Sequence, residues 1–204
     1  MSAAPGLQDP SLDVPSLDAT LAEAFRLIAH GVADRRHPFH TPTLATLAAD
    51  GAPAARTVVL RGFDAAARQL RIHTDQRAAK VAELAAEPRA SLHLYDPGAA
   101  VQLRLAGVAT LHGTDPVADA AWAASRDFSR MCYAIEPAPG TPCAAPPPAP
   151  LDAEAGRPNF CVILLRIDRL EWLHLAAGGH RRARFAWPEP GSLPGAPEAG
   201  WLVP

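Results

Sequence analysis

Tight-turn signals set between short β-patterned runs restrict this chain more than any other feature. Asp50-Gly51 follows the run Thr43–Ala49 and precedes Ala55–Phe63, which holds the β-branched Thr57-Val58-Val59. Asp96-Pro97-Gly98 separates Ala90–Tyr95 from Val101–Leu111. Asp-Gly and Pro-Gly pairs supply the backbone angles of a hairpin, so the runs they join pair antiparallel. That excludes a doubly wound parallel sheet. Gln69–Thr74 reads as a further strand, and Phe160–Leu175 as a long one, bent or bulged near Asp168.

Helical patterns fall between these runs. In Leu17–His30 the stripe Leu21, Phe25, Ile28 and Ala29 has helical spacing, Ser16 suits the N-cap, and Gly31 weakens the end. Arg77–Ala86 reads as a short helix stopped near Pro88. Asp115–Tyr133 reads as another, with Pro116 in its first turn and Val117, Ala121 and Ala124 on one face. The expected architecture is mainly β with flanking helices, a small Greek-key-like barrel. Residues 1–15 read as a flexible leader, 16–187 as the domain with a Pro-rich loop at 137–158, and 188–204 as a tail packed weakly or not at all.

Composition narrows the function classes. The formal net charge of −2 over 204 residues gives no global pull toward nucleic acid or an anionic membrane. No run approaches the ~20 apolar residues of a membrane helix, and the start carries no secretory pattern. Cys132, Cys143 and Cys161 are odd in number and widely spaced, matching neither a disulfide framework nor a metal site, so a cytoplasmic location is expected. His37-Pro38-Phe39-His40 resembles ligand spacing, but nothing completes a metal site. Any anion site must come from local clustering of positive charge.

Four segments offer such clustering or lie where they can flank it. Arg56-Thr57-Val58-Val59-Leu60-Arg61 alternates, with Arg56, Val58 and Leu60 on one face and Thr57, Val59 and Arg61 on the other. It also fits two solvated arginines closing a core strand. His73-Thr74 ends a strand where Arg77 and Lys80 open a helix, a place that attracts anions. Lys80 is the only lysine in the chain. Gln102 lies on the polar face of its strand and both donates and accepts, as a heterocycle edge requires. His180-Arg181-Arg182-Ala183-Arg184-Phe185 is the densest basic cluster, either a solvated turn or an acid-group clamp.

Taken in order, these segments resemble the pyridoxamine 5′-phosphate oxidase-like flavoproteins over roughly Pro38–Phe185. The resemblance implies an FMN-binding split β-barrel that holds FMN at a homodimer interface. It implies that Arg56 and Lys80 grip the FMN phosphate with a hydroxyl contact from Thr74, and that His73 adjoins them. It runs Val58–Arg61 along the flavin ring and makes Gln102 and Arg184 later flavin contacts. The chain departs from the family where Ser-Arg-Lys becomes Ala78-Ala79-Lys80, with Arg77 a neighbouring substitute. Arg61 stands for the substrate lysine, and His180-Arg181-Arg182 exchanges the late Arg and His. Arg61, Arg130, His180 and Arg182 are the expected substrate contacts.

The function so implied is an FMN-dependent oxidoreductase of oxidase type, on a small substrate with or without a phosphate. The alternatives are a flavin-binding carrier or sensor module without turnover and, further off, a barrel using deazaflavin or haem.

Overall fold

The computed structural model describes residues 15–188 and 195–204; the expected leader at 1–15 lies outside them except for Pro15. Helix α1 (Leu17–Ala33) opens the chain, its N-terminus capped by the Ser16 hydroxyl accepting from the Ala19 N–H. Its buried stripe is Ala24, Leu27 and Ile28, with Leu21 and Phe25 at the margin and Ala29 turned to solvent. Strands β1 (Thr43–Leu47) and β2 (Pro53–Thr57) form the first hairpin, closed by Gly51 at φ +83°. Strand β3 (Leu60–Asp64) pairs with β4 (Gln69–Asp75). Helix α2 (Ala79–Ala86) leads to β5 (Arg89–Asp96) and β6 (Val101–His112), the second hairpin. Then come α3 (Pro116–Ala123), α4 (Asp127–Arg130), β7 (Phe160–His174), β8 (Arg181–Ala186) and β9 (Glu198–Leu202).

Among the described residues these nine strands make one antiparallel sheet in the order β2-β1-β5-β6-β7-β4-β3, with β8 and β9 added on β7. The non-consecutive neighbours β1–β5 and β4–β7 give Greek-key-like connectivity. Strand β7 is the hinge of the architecture. One edge pairs with β6 throughout, while the other pairs with β4 up to Arg166 and with β8 from Arg169. The ladder with β6 shifts register here: Ala106 faces Arg169, Gly107 faces Ile167, and Asp168 is left over. This bulge bends the strand and splits the barrel. Its released groups are used elsewhere, since the Asp168 carbonyl accepts from Trp187 N–H at 2.9 Å. Leu44, Leu60, Ile72, Leu92, Leu103, Leu105, Ile163 and Phe185 fill the interior, each at most 1 % exposed.

Three elements differ from expectation. The run Ala55–Phe63 is two strands: its first part pairs with β1 as far as Thr57, with Val58 N–H adding one more bond to the Pro42 carbonyl, and from Leu60 it pairs with β4 instead. The run Asp115–Tyr133 breaks at 124–126 into α3, α4 and a 3₁₀ turn at Met131–Tyr133, since Arg130 folds back on α3. Part of the expected tail is strand β9, which pairs with β8 from Arg182–Leu202 to Ala186–Glu198. The Pro-rich segment ends early in a 3₁₀ turn at Glu154–Asn159, tied down by Arg157 to Gly113 and by Asn159 to Tyr133. No helix among the described residues is long and apolar enough to cross a membrane.

A Cβ on Gly107 would lie 1.8 Å from the Arg166 carbonyl oxygen. Gly107→Ala is therefore expected to cost on the order of 3 kcal/mol or to prevent folding, read as the urea midpoint or loss of soluble protein.

Candidate functional site

Two neighbouring groups of side chains carry the chemistry. The first lies between β1, β2, α2 and the end of β4. Alternation survives the break after Thr57: Val58 and Leu60 enter the core, while Thr57, Val59 and Arg61 face outward. Arg56, largely covered, donates to the Thr46 hydroxyl and reaches Glu83 at 2.7 Å. Thr46 in turn donates to Glu83 at 2.5 Å. Burial works to raise the Glu83 carboxyl, but Thr46 and Arg56 hold it below the usual range. Glu83 lies one helical turn after Lys80, so both side chains leave α2 on the same side.

Lys80 is half-buried and donates to the Thr74 hydroxyl at 3.1 Å. Burial, and then the charge of Arg56, pull its ammonium below the ordinary lysine range, partly offset by Asp75 and Glu83. No carboxylate lies within ion-pair distance of it among the described residues. Arg56 and Lys80 thus lie close enough to repel each other, Arg56 held by the Thr46 hydroxyl and Glu83 and Lys80 against the Thr74 hydroxyl. Arg77 does not join them. Helix α2 starts at Ala79, and the Arg77 guanidinium is taken by Asp75 at 2.8 Å, Glu136 at 2.5 Å and the Ile135 carbonyl at 2.9 Å.

The second group lines a cleft of about 780 Å³ between the outer face of β3–β4, the end of α1 and α4. Arg61, Arg71, His73, Arg126, Arg35 and Tyr133 surround it. His73 leaves β4 on the face opposite Thr74 and packs edge-on against Phe160, with ring centroids 4.9 Å apart. Its Nε2 is buried without a hydrogen-bond partner. Burial, then the charges of Arg71 and Arg61, bring its pKa down to about 4. Burial likewise pushes the Tyr133 phenol well above its usual range.

Arg130, expected as a substrate contact, is not in this cleft. Its Nε and Nη2 donate to the Trp122 carbonyl at 3.2 and 2.9 Å, and Nη1 pairs with Glu154 at 2.5 Å. It caps the open carbonyls of α3. Arg126, at the start of α4, occupies the wall instead.

Gln102, His180, Arg182 and Arg184 line no part of the cleft. Gln102 stands opposite Tyr95 and Leu173, and Leu173 opposite Arg182. Arg184 is exposed and opposes Glu171, which Arg182 binds at 2.6 Å. His180 is exposed in the β7–β8 connection. Sequence reasoning missed Glu83, Thr46, Arg126, Arg71 and Arg35. Of these only Glu83 left a signal, its spacing of three from Lys80.

The chain matches the family model described as pyridoxamine 5′-phosphate oxidase, FMN-binding domain, over residues 22–113. It is 32 % identical over 143 residues to pyridoxine/pyridoxamine 5′-phosphate oxidase 2 of Arabidopsis thaliana, covering 65 % of this chain and 72 % of that one. Among solved structures it is similar to a pyridoxamine 5′-phosphate oxidase-related, FMN-binding protein of Nostoc punctiforme PCC 73102. That match has a TM-score of 0.70 and 30 % identity, and covers 87 % of this chain and 95 % of that one. PhzG of Burkholderia lata 383, in complex with tetrahydrophenazine-1-carboxylic acid, shares the fold at a TM-score of 0.68 and 21 % identity, over 97 % and 98 % of the two chains.

His73 is neutral in the folded chain and protonates near pH 6.5 when unfolded. The stability this contributes is complete above pH 6.5 and is lost as pH falls toward 4. His37, held low by burial and by His30, acts in the same direction. Urea unfolding should show a loss of about 2 kcal/mol from His73 between pH 7 and pH 5, and His73→Gln should shrink the slope.

Proposed function

The chain belongs to the family of the pyridoxamine 5′-phosphate oxidase FMN-binding domain, and from that premise we propose that it is a homodimeric, FMN-dependent oxidoreductase acting on a small anionic substrate. One observation carries the cofactor assignment. Lys80 is a half-buried ammonium with no carboxylate within ion-pair distance among the described residues, near Arg56 and against the Thr74 hydroxyl. An ammonium without an ion pair, next to a hydroxyl and near a guanidinium, fits a phosphate dianion. Arg56, Thr74 and Lys80 would hold the FMN phosphate, with Val59 and Arg61 on the outward face of the β2–β3 run beside the ring. When bound, the flavin supplies hydride acceptance and its return to an oxidant such as oxygen.

The chain's own residues supply orientation and charge. Arg61 sets a fixed positive charge between the phosphate site and the cleft, favouring anions there. Arg126 offers a fork to the substrate's acid group. Neutral His73 offers a ring nitrogen to a bound group at neutral pH.

Gln102, His180, Arg182 and Arg184 stand on β6, β8 and the connection before it, and line no part of the cleft. A two-fold dimer resolves the separation, because within an isologous interface residue i of one copy meets residue j of its mate and j meets i, so two distant groups of one patch are brought together across the axis. The outer face of β1 and β5 supports this with Leu47 and Tyr95, each 42 % exposed. A cytoplasmic location belongs to the same reading, on three free cysteines.

A flavin-binding module without turnover is the second reading, favoured by the diversion of Arg130 into capping α3. The spectrum of the purified protein separates flavin from haem or deazaflavin. Oxidation of pyridoxamine or pyridoxine 5′-phosphate no faster than with free FMN selects the second reading. Lys80→Ala should weaken FMN binding about tenfold or more in a fluorescence titration. Unchanged affinity sinks the phosphate assignment.

A further inference from the structure

The cleft between β3–β4 and α4 gathers four guanidinium groups and not one carboxylate among its lining residues. Arg56, Arg77, Arg89, Arg130, Arg157 and Arg182 each have a carboxylate within ion-pair distance. Arg35, Arg61, Arg71 and Arg126 have none among the described residues. Outside the cleft Arg36, Arg68, Arg169 and Arg184 also stand without a carboxylate within ion-pair distance among the described residues, but no other cavity gathers four such groups. Each guanidinium fork can take a carboxylate or phosphate edge by two parallel hydrogen bonds, so four forks at different places around one cavity offer room for more than one acid group.

The four divide by depth. Arg35, Arg61 and Arg126 are exposed at the rim. Arg71 is half-buried: it crosses β3 over Gly62, where a Cβ would come 3.1 Å from its Nε, and its Nη2 donates to the Arg61 carbonyl at 3.1 Å. Its Nε is buried with no partner, and so is Nε2 of His73, two residues along the same face of β4. A buried polar atom without a partner costs about 1–3 kcal/mol, and native proteins keep few of them. Two side by side in one cavity define a second polar subsite below the rim.

We propose that this cleft takes a ligand with two separate acid groups, one held at the rim by Arg61, Arg126 and Arg35, the other at the floor by Arg71 and His73. Phe128, 91 % exposed at the rim, offers a ring face to a flat ligand body. The ligand's role as substrate rests on the flavoprotein reading; the charge argument rests on the cleft alone.

The test uses two probes that share a ring and differ by one acid group: phenyl phosphate and 4-carboxyphenyl phosphate. Calorimetric titration of the full chain, flavin-loaded and flavin-free, should give the second probe at least tenfold tighter binding. Arg71→Gln should erase that preference and leave phenyl phosphate unchanged, while Arg126→Gln weakens both probes. Gly62→Ala, which pushes the Arg71 side chain aside without deleting it, should reduce the preference in protein of normal thermal stability. Equal affinities in the unaltered chain, or a preference that survives Arg71→Gln, overturn the proposal. A chain that takes up no FMN yet keeps the preference overturns the flavin reading and leaves the two-acid ligand standing. A flavin-loaded chain without the preference does the reverse.

Discussion

Everything in this molecule is arranged about a one-residue bulge in β7. With Asp168 left out of the ladder, a single strand of fifteen residues serves β4 on its first half and β8 on its second, while β6 follows it along the other edge. The register shift turns the two halves of the sheet away from one another and closes each around the shared interior. Gly107 is the complement: no side chain fits where the Arg166 carbonyl turns in. The end of β4, where Thr74 and His73 stand, and the face of β8, where Arg182 and Arg184 stand, are thus set by one strand.

Positive charge in this chain is handled in two ways. Nine arginines are tied to acids and serve the fold, as Arg130 does over α3 and Arg77 does between Asp75 and Glu136. Four that have no carboxylate within ion-pair distance among the described residues line the β3–β4 cleft. Glu83 stands between these cases. It neutralises Arg56, so the neighbourhood of Lys80 carries less net charge than the two cations alone would give. Phosphate arriving there meets one free ammonium and one guanidinium already engaged.

The turns were plain in the sequence. Asp50-Gly51 and Asp96-Pro97-Gly98 demand specific backbone angles, which is why two hairpins and the antiparallel sheet could be read from residue order, and the long run Phe160–Leu175 carried its bend at Asp168. Helix α1 showed through its spacing, and Lys80 through being the only lysine. What spacing misjudged were elements whose ends depend on distant partners. The helix over 115–133 breaks because a guanidinium four residues past the break satisfies carbonyls before it, and the tail is a strand because β8 leaves an edge open.

Local chemistry therefore settled the strand order class, the turn positions and the residue types able to meet an anion, since each depends on neighbours within a few residues. Which arginines remain available was settled only by folding. Arg126 faces the cleft and Arg130 does not, and Arg71 and Arg35 enter it from elements far apart in the chain. The cause is competition. Every guanidinium seeks acceptors, and only the packed arrangement decides which ones find them inside the protein and which stay open to a ligand.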